Sequence, residues 1–354
     1  MSTWKEILSN RIVAFERNID RLESKLRRHS DDPLEIKTYI SYGYKNKLLL
    51  RARVLEYKAA EQAEKTDSSF KNFKRNLGFF ASSEIANAKI KASYGEFEKI
   101  IIANEEGFVE EILDWDIGGS GLVEYIDLVL LEPDPSKQIK PSFKAPIVVA
   151  TKPKFGIISD IDDTIIKSDV KNLFKLAKNT LLGNAQSKEV FAGAAKLYQA
   201  LVAQENPIFY VSSSPWNIYD TILQVFEIND LPFGPLILRD WGISQDEILP
   251  IHNKKYKIAE ISRVLDINYD LKFILIGDSG QEDPEIYSEI VAAYPERILA
   301  VYIRDVSGQK RDAEIKLLSD KLKEHDIDLV LAESTDLFFE HASEQGFIAK
   351  LLKL

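Results

Sequence analysis

Hydrophobic residues follow two different periods along the N-terminal part of the chain. Residues 1–30 carry apolar positions every three or four residues, which predicts one amphipathic helix that packs on its own domain, with binding to a partner or membrane as the alternative. Between residues 31 and 140, short apolar runs separated by turn residues, such as those at 48–55 and 97–102, indicate β-strands. Their spacing predicts a small β-rich, sandwich-like domain that serves docking or scaffolding.

A proline-rich segment at 132–146 follows, and we place the domain boundary there. From residue 147 to 354, strand-like runs alternate with helical stretches, which is typical of an α/β fold with a doubly wound parallel sheet. Such sheets bind ligands outside the carboxyl ends of their strands, so the residues that follow each strand form the candidate site. The predicted strands end at Ser159, Val211, Ile276, Ile303 and Leu331.

Three carboxylates follow the first of these strands, in the order Asp160-Ile161-Asp162-Asp163-Thr164. Neighbouring carboxylates raise one another's pKa unless a cation or a proton lies among them, so the pattern indicates a site for a hard dication such as Mg²⁺. The spacing of Asp160 and Asp162 also suits a nucleophile followed by an acid/base group, with Thr164 as a substrate contact. For this motif taken alone, a turn with solvated acids is the alternative.

The later strand ends add the other groups that phosphoryl transfer requires. Ser212 and Ser213 follow the strand that ends at Val211, where hydroxyls and free amides can hold a phosphoryl oxygen. Asp278 and Asp283 follow the strand that ends at Ile276, and they offer two further acids to a metal. Between these strands, lysines at 254–257 begin a helix, where a cation would neutralise charge that grows in the transition state.

Composition excludes several other classes of function. The chain has 354 residues and a formal net charge of -10, which argues against nucleic-acid binding because a polyanion requires a basic surface. It has no cysteine, so disulfides, thiolate nucleophiles and sulfur-ligated metals are excluded. We recognise no signal peptide and no apolar run of roughly 20 residues. We therefore expect a soluble, cytoplasmic protein whose only membrane contact is peripheral.

The stretch from Phe155 to Arg304 resembles the catalytic domain of the actin-patch-protein-type phosphatidate phosphatases, within the haloacid-dehalogenase-like superfamily. The resemblance lies in ISDIDDT at 158–164, LGNA at 182–185, FYVSSSPWN at 209–217, LRDWG at 238–242 and IGDSGQEDPE at 276–285. It implies Asp160 as nucleophile, Asp162 as general acid/base, Ser212 as phosphate ligand and Asp278 as magnesium ligand. The helical pattern after the lysines favours Lys257 over Lys254 as the active-site lysine. Metal ligation is assigned to Asp160, Asp162, Asp278 and Asp283.

The substrate is predicted less sharply than the reaction. The residues indicate a phosphomonoester, with Arg239 as a candidate for a second phosphate or head-group contact. The resemblance implies hydrolysis of phosphatidate to diacylglycerol. Alternatives are a phosphatase of a sugar phosphate or nucleotide, a phosphotransferase, and an inactive scaffold, which the intact acids disfavour. A helix predicted at 169–182 has an apolar stripe beside lysines, which suits an anionic membrane surface as well as a packed cap. The protein partner of the β-rich domain is not indicated.

Overall fold

A computed structural model of the protein arranges its described residues in two sheets with associated helices. The described residues are 32–57, 84–118, 123–167, 190–203, 205–239 and 250–349. The helices predicted at 1–30 and 169–182 lie outside these ranges. The strands of the first sheet are β1 (Leu34–Thr38), β2 (Ser41–Tyr44), β3 (Lys47–Glu56), β4 (Lys89–Tyr94), β5 (Phe97–Ile102), β6 (Phe108–Leu113), β7 (Val123–Glu132) and β8 (Phe143–Val149).

The first sheet runs in the order β1-β3-β2-β8-β7-β4-β5, and β6 pairs with β3. Its pairs are antiparallel except for β2 and β8, which are parallel. Strand residues alternate between two faces, so Ile90 and Ala92 of β4 are buried while Lys89 and Lys91 lie on the other face. The described strands form one hydrogen-bonded sheet, and the two-sheet sandwich stays a prediction.

Strand β8 begins in the proline-rich segment at 132–146, where the sequence predicts the domain boundary. Phe143, Ala145, Ile147 and Val149 are buried in the core of the first sheet, and β8 pairs with both β2 and β7. Pro146 occupies the other, half-buried face of the strand. The sheet therefore continues to Val149, because one proline on the outer face does not interrupt the alternation of buried residues.

The second half forms the predicted α/β arrangement, and its parallel sheet is confirmed. Six parallel strands run in the order β11-β10-β9-β12-β13-β14. In chain order the elements are β9 (Gly156–Ser159), α1 (Ala194–Val202), β10 (Ile208–Pro215), α2 (Tyr219–Ile228), β11 (Leu236–Arg239), α3 (Pro250–Ile267), β12 (Phe273–Asp278), α4 (Asp283–Ala293), β13 (Ile298–Arg304), α5 (Asp312–Lys323), β14 (Asp328–Ala332) and α6 (Thr335–Glu344). Strand β11 was not predicted, since its four residues are too few to show a period.

Helices cover both faces of the parallel sheet. Buried residues of α1, α2 and α6 pack on one face, and those of α3, α4 and α5 pack on the other. The strands are therefore almost wholly apolar, and all six residues of β12 are buried. Along the described parts of the chain, no helix is long and apolar enough to cross a membrane.

Strand β9 is the first strand of this sheet in sequence, and it lies between β10 and β12. Chain order therefore runs in opposite directions on its two sides, towards β11 on one side and towards β14 on the other. A crevice at the carboxyl ends of the strands is expected at this reversal. The fold thus brings the residues that follow β9, β10 and β12 to one edge.

Candidate active site

The loop after β9 carries the first two carboxylates of the site. The Asp160 N–H donates to the Ile276 carbonyl oxygen at 2.9 Å, so the pairing of β9 with β12 extends to this residue. Asp163 has a φ of 59°, a left-handed conformation that Asp tolerates better than most residues. The chain turns there, and the Asp163 N–H donates to the Ile166 carbonyl oxygen at 2.8 Å.

Two side chains hold this loop in place. The Thr164 hydroxyl donates to Asp160 Oδ2 at 3.3 Å, and Arg304 Nε donates to the Thr164 carbonyl oxygen at 2.8 Å. Arg304 is buried, and its guanidinium also lies 4.1 Å from the centre of the Phe191 ring. Burial lowers the pKa of Arg304. The loop is therefore fixed from β13 by a buried cation that binds its backbone.

Asp160, Asp278 and Asp283 form a buried acid cluster. One carboxylate oxygen from each lies within 4.8 Å of the others, and none of the three residues is more than 1% exposed. Lys257 of α3 lies among them, and its Nζ donates to Asp160 Oδ1 at 2.8 Å and to Asp283 Oδ1 at 2.7 Å. One ammonium thus faces three carboxylates.

The pKa values of the cluster follow from this imbalance of charge. Burial raises the pKa of Asp160 well above its usual range, with contributions from Asp283 and Asp278 that the Lys257 ammonium opposes. Burial and the Asp283 charge likewise raise the pKa of Asp278 to about 8. Burial alone would lower the pKa of Lys257, but Asp160 and Asp283 outweigh it and raise that pKa. The cluster therefore favours an additional positive charge, either a proton or a cation.

Backbone groups orient the two acids at the end of β12. Asp278 Oδ1 accepts from the N–H groups of Gly280 at 2.7 Å and Gln281 at 2.9 Å. Asp283 Oδ2 accepts from the Asp278 N–H at 3.2 Å. A side chain at Gly277 would place its Cβ 2.6 Å from Asp283 Oδ2, so only glycine allows this close approach.

Asp162 lies outside the acid cluster and faces the end of β10. Its Oδ2 accepts from the Ser212 hydroxyl at 3.0 Å and from the Ser214 hydroxyl at 2.9 Å. Asp162 is 8% exposed, which makes it the most accessible of the four predicted acids. A group that exchanges protons with a substrate and with water requires such access.

The structure brings most of the predicted site residues together. Asp160, Asp278, Asp283 and Lys257 form one cluster, whereas the Lys254 ammonium pairs with Glu289 at 2.7 Å. Ser213 is half-buried beside Ser212, and Arg239 is buried at the carboxyl end of β11.

Three further residues were not predicted. Ser214 binds Asp162, Arg304 holds the loop after β9, and Gln281 Nε2 lies 3.4 Å from the Asp162 carbonyl oxygen. Ser214 and Gln281 lie within the family motifs at 209–217 and 276–285, so the sequence placed them near the site without indicating their contacts. Arg304 gave none, because a basic residue at a strand end has many uses.

The acid cluster fits a hard dication. Its donors are all carboxylate oxygens, which Mg²⁺ prefers, and the single ammonium leaves negative charge for a cation to neutralise. Across the described ranges, this is the one group of three or more acidic or histidine side chains with such spacing.

Residues 155–305 match the family model described as the catalytic domain of phosphatidate phosphatase APP1. The predicted family resemblance is therefore confirmed for this segment. Phosphatidate phosphatase APP1 of Saccharomyces cerevisiae is 34% identical over 163 residues, which cover 44% of this chain and 27% of that protein. An uncharacterized protein of Schizosaccharomyces pombe is 28% identical over 234 residues, which cover 63% of this chain and 38% of that protein. The chain thus spans less than half the length of either relative.

Among solved structures, a HAD family hydrolase from Deinococcus radiodurans R1 with bound phosphate and sodium aligns at 12% identity and a TM-score of 0.32, covering 56% of this chain and all of that chain. A class C acid phosphatase from Bacillus anthracis with tungstate bound aligns at 15% identity and a TM-score of 0.29, covering 50% of this chain and 80% of that chain. At these low TM-scores, neither alignment carries an argument about the site.

Proposed function

We propose that the protein is a phosphatase that passes the phosphoryl group of a phosphomonoester first to Asp160 and then to water. The observation that carries this proposal is the position of Lys257, whose ammonium donates to both Asp160 and Asp283 within the buried acid cluster. The Lys257 ammonium opposes the rise in the pKa of Asp160 that burial causes, and so favours the ionised form that a nucleophile needs. The match of this segment to an APP1 catalytic domain supports the same reaction class.

In the first half of the reaction, a carboxylate oxygen of Asp160 forms a bond to phosphorus. The bond from phosphorus to the ester oxygen breaks, and its electron pair stays on the leaving oxygen. Asp162 donates a proton to that oxygen, for which its greater exposure suits it. Ser212, Ser213, Thr164 and Arg239 are the proposed contacts of the phosphoryl group.

In the second half, a water molecule attacks the phosphorus of the aspartyl phosphate. The bond between Asp160 and phosphorus breaks, the carboxylate is restored, and inorganic phosphate leaves. Asp162 accepts the proton of the attacking water, which returns it to its initial state. The Ser212 and Ser214 hydroxyls orient the Asp162 carboxylate for both transfers.

Asp160, Asp278 and Asp283 are the proposed ligands of Mg²⁺. Bound there, the ion would neutralise phosphoryl oxygens and the carboxylates around them. Asp162 was predicted as a fourth ligand, but its Oδ2 already accepts two serine hydroxyls. We therefore propose that Asp162 transfers protons and that Mg²⁺ is bound by Asp160, Asp278 and Asp283 alone.

Phosphatidate is the proposed substrate, because the matched family and the yeast relative carry that activity in their names. Its phosphate is a monoester on a lipid at a membrane surface, so we propose a cytoplasmic protein with peripheral membrane contact. Such contact would involve the helix predicted at 169–182, which lies outside the described residues. A soluble phosphomonoester is the alternative substrate.

Release of inorganic phosphate tests the proposal. The protein is assayed with phosphatidate in mixed micelles and with a panel of soluble phosphomonoesters, in Mg²⁺ and in EDTA. We expect Mg²⁺-dependent release that is fastest with phosphatidate. Faster release from a sugar phosphate or nucleotide would support the alternative substrate, and no release from any of them would contradict the proposed function.

A further inference from the structure

The first sheet packs against the elements that form the active site. The Tyr42 ring of β2 contacts the Phe209 ring of β10, with centres 5.1 Å apart. Just before β2, the Ile40 N–H donates to the Tyr219 hydroxyl at 2.9 Å, and the Tyr39 ring lies 4.5 Å from that of Trp216. Trp216 and Tyr219 lie two and five residues after Ser214, the last serine of β10. The first sheet is thus in contact with the strand end that orients Asp162.

A buried ion pair links the same sheet to the helix that carries Lys257. Arg51 of β3 donates through one terminal nitrogen to Glu260 Oε2 at 2.6 Å and through Nε to Glu110 Oε2 at 2.8 Å. Arg51 and Glu260 side chains are only 5% and 8% exposed. Arg263 of α3 closes the network with contacts to Glu110 at 2.5 Å and Glu260 at 2.9 Å.

Glu260 lies three residues after Lys257 on α3, and this spacing is close to one helical turn. Any rotation or shift of α3 that changes the Arg51–Glu260 contact therefore also moves the Lys257 ammonium. That ammonium must reach Asp160 and Asp283 at once, at 2.8 and 2.7 Å. Both ends of this turn are held by buried ionic contacts, one to the first sheet and the other to the acid cluster.

We propose that the first sheet is part of the catalytic unit, and that Arg51 is a positioning residue that sets Lys257 through Glu260. This inference rests on the proposed function, because it gives Arg51 a role in that reaction. It differs from the docking or scaffolding use expected from the sequence, since the sheet here holds a catalytic helix. Arg51 itself contacts no substrate.

Arginine is suited to this position because its planar guanidinium directs two N–H groups at two carboxylates at once. A lysine would keep the positive charge but present it at a single point, so it cannot hold Glu110 and Glu260 in the same geometry. Arg51→Lys therefore keeps a cation in the buried site and disturbs mainly the position of Glu260. A misplacement of a catalytic group by about 1 Å can lower a rate by about a hundredfold.

The test compares kcat and KM of the full-length parent, Arg51→Lys, Glu260→Gln and the double variant, with phosphate release as the assay. Each variant is first checked for folding by circular dichroism. We expect Arg51→Lys to lower kcat by roughly ten- to a hundredfold with KM changed less than about threefold. If Arg51 acts through Glu260, the double variant is no slower than the slower single variant.

Lys45→Met is the matched control. Lys45 lies in the turn between β2 and β3 and pairs with Asp270, beyond the end of α3, so it also joins the two halves of the molecule. That pair is half-exposed and distant in sequence from Lys257, and we expect parental kcat from this variant. A folded Arg51→Lys protein with parental kcat, or losses that multiply in the double variant, would overturn the inference.

Hydrogen exchange separates failure of this inference from failure of the proposed function. In Arg51→Lys, we expect faster amide exchange in the peptides that cover residues 254–267, whereas Lys45→Met should exchange like the parent there. If the parent releases no phosphate, the proposed function fails. Equal exchange at residues 254–267 in all three proteins would overturn the link from Arg51 to α3, whether or not phosphate is released. If the Arg51→Lys variant does not fold, Glu260→Gln takes its place in the test. Parental kcat together with parental exchange in that variant would overturn the inference.

Discussion

Replacing Asp278 by Asn tests whether the acid cluster holds negative charge that destabilises the metal-free protein. Asn keeps the shape of the side chain, and its oxygen can still accept from the N–H groups of Gly280 and Gln281. The substitution removes one ionisable group from the cluster formed with Asp160 and Asp283. We expect it to make the metal-free protein more stable at alkaline pH and to abolish the response to Mg²⁺.

The magnitude follows from the pKa of Asp278, which burial and the Asp283 charge raise from 3.8 to about 8. Between these pH values the folded chain binds a proton that the unfolded chain has lost. The free energy of unfolding of the metal-free protein therefore falls as pH rises from 4 to 8. About four pH units, at about 1.4 kcal/mol each, give an upper limit of about 6 kcal/mol for this one group. The Asn variant lacks this contribution.

Urea unfolding, followed by circular dichroism at pH 5 and pH 8 in EDTA and in Mg²⁺, measures both effects. We expect the parent to lose more stability than the variant between these pH values in EDTA, and to regain it with Mg²⁺, since the metal competes with protons for the carboxylates. Asp320→Asn, at an exposed position of α5, is the control and should behave like the parent. Equal pH dependence of parent and Asp278→Asn, or equal stabilisation of both by Mg²⁺, would refute the reasoning.

Two further substitutions test the roles at the centre of the site. Asp160→Asn removes the attacking oxygen at constant volume, so the rate of phosphate release should fall by at least about a thousandfold. The circular dichroism spectrum should stay like that of the parent. Residual turnover of a few per cent would contradict the role of Asp160 as nucleophile. Lys257→Met should lower kcat by about a hundredfold or more, whereas Lys254→Met should keep parental kcat because Lys254 pairs with Glu289. Equal losses in the two lysine variants would show that the contact with Asp160 has no special importance.

Much of the parallel sheet was predictable because its strands are buried on both faces. Continuous apolar runs that end in polar residues mark such strands, and β9, β12 and β13 all follow this rule. The carboxyl ends of parallel strands share one edge, so Asp160, Ser212 and Asp278 could be placed together before any distance was known. Strand β11 lacked this signal because it is short. In the first sheet, β8 was missed because Pro146 lies within it.

The contacts between distant parts of the chain were not predictable. Glu110 and Glu260 are ordinary charged residues in sequence, and their role arises only because β3 and β6 pack against α3. The same holds for Arg304, which donates to the carbonyl oxygens of Thr164 and Glu333 and to the Thr335 hydroxyl. Local patterns report the period and burial of one element, whereas these ion pairs depend on how elements approach one another.

The central claim is that Asp160 carries the phosphoryl group, and trapping that group tests it most directly. Asp162→Asn slows protonation of the leaving oxygen as well as activation of water, so we expect phosphate to reach Asp160 slowly in Mg²⁺ and then to remain there. Rapid acid quench, proteolysis and mass spectrometry should show a mass increase of about 80 Da, that of one phosphoryl group, on the peptide that contains Asp160. The double variant Asp160→Asn/Asp162→Asn should show none. Phosphate on another residue, or phosphate release by Asp162→Asn at the parental rate, would contradict the account.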